Sequence, residues 1–325
     1  MTPAPYDQST PGSGDTAPTD ASGGAGPPGA PVPSETRYRR RRLGAGLVLV
    51  GFVALIFAVA TGGGAASHKA HAPPSTSGPR PDSGVLQPLT AGSPTGWTPE
   101  QTTAVNRVLR YTPYISVGSH ERRVVALTFD DGPSTFTPQI LDILRREHAP
   151  ATFFEIGGSA RQYPDIAREV LATGLPIGDH TETHPPLASL TPSQQRAEVL
   201  GAAKSLQSYG APYPRLFRPP YGSFNRVTLR LTHEHHMLMV LWTVDTRDFS
   251  QPGVKRIIYT VISGAKPGAI ILMHDGGGPR SQTVAALPHI IHDLRRRHYR
   301  LVTVPQLVLE DPPPATQSTP HSLSG

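Results

Sequence analysis

Between residues 120 and 308, short apolar runs alternate with stretches whose apolar residues recur every three or four positions. The runs VVALTFD (124–130), ATFFEIG (151–157), LPIGDH (175–180), RLFRPP (215–220), MLMVLWTVD (237–245), GAIILMHD (268–275) and YRLVTV (299–304) read as buried strands. The intervening segments TPQILDILRRE (137–147), PDIAREVLAT (164–173), SQQRAEVLGAAKSLQSY (193–209), FNRVTLRLTHEH (224–235), VKRIIYTVIS (254–263) and VAALPHIIHDLRRRH (284–298) carry helical periodicity. Strand and helix in strict alternation predict an α/β fold with a parallel sheet. The expected architecture is a distorted (β/α) barrel of about seven strands. Upstream, Thr98 is an N-cap candidate for a short lead-in helix over 99–109, within a segment covering 97–119.

The pattern changes outside that block. Residues 1–36 are rich in Pro, Gly, Ser, Thr and Ala and have no Lys or Arg, so 1–42 reads as a disordered tail ending in the basic run Arg37, Arg39, Arg40, Arg41, Arg42. An uncharged apolar stretch, LGAGLVLVGFVALIFAVA (43–60), follows, with small residues continuing to 66. It is long enough to cross a bilayer, and the preceding positive charge places the N-terminus in the cytoplasm and the later residues outside. The expectation is one transmembrane anchor at 43–66 in the plasma membrane. The rival is a cleaved signal peptide and secretion, which the long basic tail disfavours. Residues 67–96 read as a Pro/Ser/Gly-rich spacer and 309–325 as a second disordered tail.

Composition narrows the chemistry. The chain of 325 residues has no Cys, so disulfides and thiolate chemistry are excluded and any metal must be held by His and carboxylate. The formal charge of +6 is concentrated in the run at 37–42, which the membrane explains better than a nucleic acid does. Nucleic acid is not expected as a partner, and a monomer is the expected state.

Polar residues cluster at one kind of position. Asp130, Asp131, His180, Arg218, Asp245, Asp248, His274 and Asp275 all lie at or just beyond the C-terminal end of a predicted strand. In a β/α barrel those ends converge on the face that carries the active site. The same rule sets aside His233, Glu234, His235 and His236, which precede a strand and read as a solvated helix end, and likewise His148, His289, His292 and His298. His180 and His184 are four residues apart, though Pro185 biases His184 away from helical dihedrals and predicts an irregular turn. By itself that pair is weak evidence. The adjacent carboxylates of TFDDG strengthen it, because two like charges side by side are tolerable when one binds a cation and the other accepts a proton. A site of two His and one Asp with open positions suits a catalytic divalent metal, Zn²⁺ by default, with Co²⁺ or Ni²⁺ able to substitute.

In this order and spacing, TFDDG (128–132), HTETH (180–184), RPPYG (218–222), DTRDF (245–249) and LMH (272–274) resemble the motifs of the polysaccharide deacetylases, carbohydrate esterase family four. The resemblance covers about 120–305. It implies a metal held by Asp131, His180 and His184, with Asp130 as general base oriented by Arg218. It further implies His274 as general acid tuned by Asp248, with Asp245 the less favoured partner. Tyr221 would lend its backbone N–H to the oxyanion, Leu272 would line the acetyl pocket, and Pro220 and Phe249 would contact substrate. Phe249 departs from the family pattern, which has Trp there, so the aromatic wall is kept and the indole N–H is lost. The implied activity is removal of N-acetyl groups from an extracellular polysaccharide, with peptidoglycan or another N-acetylglucosamine glycan favoured by the anchor and spacer. The alternatives are an O-acetyl esterase on a glycan such as xylan and an inactive glycan-binding protein. The intact set Asp130, Asp131, His180, His184 and His274 argues against the last.

Overall fold

The computed structural model describes residues 97–317. The basic run, the apolar stretch at 43–66 and the spacer at 67–96 lie outside the described residues, as do 318–325. Among the described residues no helix is long and apolar enough to cross a membrane.

The lead-in helix forms where the sequence places it. α1 (Pro99–Leu109) begins with a capping box: Thr98 Oγ1 accepts from Gln101 N, and Gln101 Oε1 accepts from Thr98 N at 2.9 Å. The strands are β1 (Tyr114–Ile115), β2 (Val124–Gly132), β3 (Thr152–Glu155), β4 (Ile177–Asp179), β5 (Leu216–Phe217), β6 (Leu238–Val240), β7 (Val244–Asp245), β8 (Ala269–His274) and β9 (Arg300–Val302). The helices between and after them are α2 (Thr137–Arg146), α3 (Gly157–Gln162), α4 (Pro164–Ala172), α5 (Pro192–Ser208), α6 (Arg226–Glu234), α7 (Val254–Gly264), α8 (Ser281–Arg296) and α9 (Val304–Glu310).

The nine strands of the described residues join one parallel sheet in the order β1-β6-β5-β4-β3-β2-β8-β7, with β9 also on β2. β2 is the hub. Along one edge it pairs with β8 from Val125 to Asp130; its other edge is shared between β9 at Val124–Ala126 and β3 from Thr128 onward. The single strand expected over 237–245 is broken in two. Leu241 N still donates to Ile115 O, but Thr243 N donates to Ile270 O, so the chain changes partners between them. That crossover carries the sheet from β6 round to β7 on β8 and curls it into the distorted (β/α) barrel. The excess over about seven strands comes from this break and from the short β1.

Alternation along the strands sorts the interior. Val125, Leu127 and Phe129 face outward and pack with Ile140, Leu144 and Ile291 of the surrounding helices. Val124 and Ala126 face inward with Phe154, Leu216, Leu238, Val240 and Ile270, and α1 and α9 fill that half of the barrel with Val105, Val108, Leu307 and Val308. The inward row of β2 therefore runs apolar first and polar last, to Thr128 and Asp130. β8 repeats this with Ile270, Leu272 and His274.

Residues 311–317, expected to belong to a tail, are docked. Buried Asp311 accepts from Ser119 Oγ at 2.5 Å and from the backbone N–H of Glu121 and Arg122. Gln317 accepts from Ser116 N at 2.9 Å and donates to Tyr114 O at 2.8 Å. The folded unit thus reaches beyond 308, because Gln317 satisfies backbone groups at the short β1 and Asp311 those of the loop that follows it.

Candidate active site

Asp130 and His274 are register partners on neighbouring parallel strands, so both face the interior at the strands' C-terminal end. Simple alternation would send Asp131 to the other side. Instead β2 bulges there: Asp130 pairs with Phe154 and Gly132 with Glu155, leaving Asp131 as the extra residue, at φ 72°. The bulge turns a second carboxylate into the same cavity. Gly132 completes it, since a Cβ at that position would fall 2.2 Å from the carboxylate of Asp275.

Asp130 is held by Arg218, whose Nη1 donates to Asp130 Oδ1 at 2.7 Å and to Thr128 Oγ1 at 2.8 Å. The guanidinium is fully buried. Its Nε and Nη2 donate to the carbonyls of Val240 and Leu241, and it stacks 4.1 Å from the Phe154 ring centroid. Burial lowers its pKa, and the Asp130 carboxylate opposes that shift. With Oδ1 engaged, Asp130 keeps Oδ2 towards the cavity, 3.7 Å from His180 Nε2.

Opposite stand the two imidazoles. His180 follows β4, and its Nδ1 bonds the carbonyl of Arg218 at 2.7 Å, which fixes the ring and presents Nε2 to the cavity. The turn to His184 is irregular, as Pro185 predicts, with Thr181 and His184 in the left-handed region. Its Nδ1 lies 3.1 Å from the Tyr221 hydroxyl. The two Nε2 atoms converge on Asp131 Oδ1, at 3.4 Å from His180 and 3.0 Å from His184. That oxygen is buried and has no hydrogen-bond partner. Burial pushes the Asp131 pKa up, but the two imidazoles outweigh it and hold the carboxyl well below its usual range. One ligand atom from each of the three residues lies within 4.8 Å of the others. An orphaned carboxylate oxygen facing two imidazole nitrogens fits a divalent cation, which would satisfy all three at once.

On the far side of Asp130, His274 Nδ1 bonds Asp248 Oδ1 at 2.6 Å, and the His274 backbone N–H donates to Asp248 Oδ2 at 2.9 Å. Thr283 Oγ1 donates to the same Oδ2 at 2.7 Å. Burial lowers the His274 pKa, but Asp248, with the fields of Asp130 and Asp131, raises it to about 9. Below that, Asp275 is buried and accepts from Thr137 Oγ1; burial, with Asp131 and Asp130 adding to it, raises its pKa to about 7.

These groups line a cavity of about 590 Å³. Asp130, Asp131, His180, His184, Tyr221, Asp245, Phe249, Leu272 and His274 reach its wall, while Arg218 and Asp248 brace it from behind. Tyr221, 66% exposed, and Phe249, 50% exposed, flank the mouth, and Phe249 meets the His274 ring edge-on at 5.6 Å. Asp245 accepts from Arg247 N instead of touching His274. Pro220 is buried and off the wall, where Pro219 stands, because the chain turns through a 3₁₀ segment at Pro220–Gly222. The set aside cluster His233–His236 is, as expected, a helix end, with His236 at φ 55°. Ile156, Pro219, Trp242, Gly277 and Arg280 on the wall and Thr283 behind it carried no functional signal in the sequence. Ile156, Pro219 and Trp242 lay in predicted strands, and the place of Trp242 depends on the break at 241–243.

The polysaccharide deacetylase family model matches residues 118–240. A peptidoglycan-N-acetylglucosamine deacetylase of Bacillus cereus is 41% identical over 192 residues, covering 58% of this chain and 90% of the relative. A chitooligosaccharide deacetylase of Bradyrhizobium sp. is 40% identical over 199 residues, covering 57% and 90%. Among solved structures, a peptidoglycan N-acetylglucosamine deacetylase bound to an N-hydroxybenzamide compound superposes with a TM-score of 0.59 at 35% identity, covering 63% of this chain and 96% of that one. Identity at that level across nine-tenths of a relative, on a barrel that brings the motif residues into one cavity, shows that the chain belongs to the polysaccharide deacetylase family.

Proposed function

We propose that this chain removes N-acetyl groups from an N-acetylglucosamine-containing envelope glycan outside the cell, peptidoglycan first among the candidates, with a divalent cation, zinc by default. One observation carries the reading: a carboxylate clamped by a buried Arg and a His clamped by a buried Asp are register partners, facing a cluster of two His and one Asp. Asp131, His180 and His184 would hold the cation. Bound there, it would acidify water and polarise the acetamide carbonyl.

The side chains supply the proton traffic. Asp130, with Oδ1 tied to Arg218, uses Oδ2 to take a proton from the water that attacks the carbonyl carbon. Arg218 keeps that carboxylate oriented. The backbone N–H of Tyr221, a residue of the cavity wall, would serve as donor to the developing oxyanion. His274, protonated at neutral pH, gives its proton to the leaving nitrogen, and the C–N bond breaks to acetate and a free amine. Leu272 and Trp242 offer apolar wall to the methyl group, and Tyr221 and Phe249 offer ring faces to sugars at the mouth.

Relatives that act on peptidoglycan and on chitooligosaccharides support the N-acetylglucosamine assignment. The basic run at 37–42 before the apolar stretch supports an uncleaved anchor and an external catalytic domain. Incubating the full-length protein with wall fragments, chitooligosaccharides and acetylated xylan, followed by mass spectrometry, tests the chemistry. Loss of acetyl mass from the first two is expected, with turnover on the ester below that on the amides; release from xylan alone would overturn the reading. For the anchor, N-terminal sequencing of the membrane fraction should find the uncleaved start, and a mature N-terminus near Ala66–Ala72 would refute it.

A further inference from the structure

Arg280 is 2% exposed and lines the same cavity, yet no carboxylate of the described residues pairs with it. A buried guanidinium without a counter-ion needs another reason to be there. Its Nε donates to Gly276 O at 2.7 Å and its Nη1 to Pro279 O at 2.9 Å, so the side chain folds back and ties its own loop together.

That loop leans on Asp131. A Cβ added to Gly276 would lie 2.0 Å from the Asp131 carbonyl oxygen, and one added to Gly277 would lie 2.3 Å from Asp131 Oδ2. Gly277 and Gly278 also have φ of 71° and 136°, where side chains are strained. Glycine backbone thus presses on both the main chain and the carboxylate of the bulged residue, leaving Oδ1 to face the two imidazoles. Unpinned, a Gly-Gly-Gly loop would sample many conformations and hold nothing in place.

We infer that residues 276–280 are a latch that fixes Asp131 for cation binding, with Arg280 as the positioning residue that pins it. The inference rests on Asp131 being a cation ligand. Outer contacts of this kind are worth about 10–100-fold in metal affinity.

Zinc titration calorimetry on the chelator-stripped full-length chain, with apo melting curves alongside, tests this. Arg280→Gln should weaken zinc binding by about 10–100-fold while the apo melting temperature barely moves. Arg280→Lys, able to reach one carbonyl, should fall between that and the native chain. Gly277→Ala keeps Arg280 but puts a methyl group against Asp131, and should weaken zinc at least as much; it decides the matter if Arg280→Gln does not fold. The zinc concentration for half-maximal deacetylation should rise in parallel, and the plateau rate should recover. Native zinc affinity in Arg280→Gln or Gly277→Ala overturns the latch, as does a change confined to the substrate KM. His184→Ala is the control. If it too keeps native zinc affinity, the cation site itself is wrong; if it loses zinc while the latch variants do not, only the latch is.

Discussion

Asp130→Asn should lose turnover by about 10²–10⁴ while still binding zinc, whereas Asp131→Asn should lose activity because it loses zinc. The structure separates the two carboxylates, although they are adjacent in sequence. Asp130 continues the inward row of β2 and reaches Arg218, so its asparagine variant can still accept from that guanidinium and keep its place. What disappears is the proton acceptor at Oδ2. Asp131 occupies the bulge, its buried Oδ1 between the Nε2 atoms of His180 and His184. An amide there removes the negative charge that balances a dication, so affinity falls. Excess zinc should restore part of the activity of Asp131→Asn and none of that of Asp130→Asn. Titrating both variants with zinc, reading binding and deacetylation together, checks this. Rescue of Asp130→Asn alone would mean the roles are exchanged, and near-native turnover in both would move the chemistry elsewhere.

Much of this site was legible because its residues end apolar runs. VVALTFD and GAIILMHD each alternate towards the same face, so Asp130 and His274 could be placed at the mouth without knowing their register. Asp131 was legible only as a neighbour. Nothing in TFDDG announces a bulge, which forms because Gly132 packs on Asp275 and Gly276 packs on Asp131, contacts that span over 140 positions of chain. The break at 241–243 was hidden for a similar reason. MLMVLWTVD is uniformly suited to a strand, and what divides it is a change of hydrogen-bond partner from Ile115 to Ile270. At the C-terminal end the Pro-rich composition after Glu310 suggested a tail, yet Asp311 and Gln317 dock through side-chain bonds to distant backbone that composition does not register. Arg280 gave no signal in the sequence, because its acceptors are carbonyls of its own loop, which only the folded turn brings within reach.

Asp248→Asn should convert a broad alkaline plateau into an early decline. With His274 as the proposed acid, the rate is sustained below its pKa and falls as pH rises through it. Burial alone would place that pKa below the ordinary 6.5, and Asp248 is the largest influence raising it to about 9. A cation held by Asp131 offsets that carboxylate's share, which leaves Asp248 as the main support for the protonated ring. The bond from Asp248 to Nδ1 also fixes the ring, so that Nε2 carries the transferable proton into the cavity. Asparagine matches the shape and still bonds Thr283 and the His274 backbone, but it cannot stabilise imidazolium. The folded-state pKa then drops towards 6.5 or lower, and at pH 8 the protonated fraction falls from about nine-tenths to a few hundredths. Turnover at pH 8 should fall by about 10–100-fold, with most of it recovered near pH 6, where the native chain changes little. The sign matters: a variant that was merely misfolded would lose activity evenly across the range, and one acting through the base would lose it on the acid side. Initial rates from pH 5.5 to 10 at saturating zinc read this directly, and an alkaline limb that stays near 9 in Asp248→Asn would assign the acid to a group other than His274.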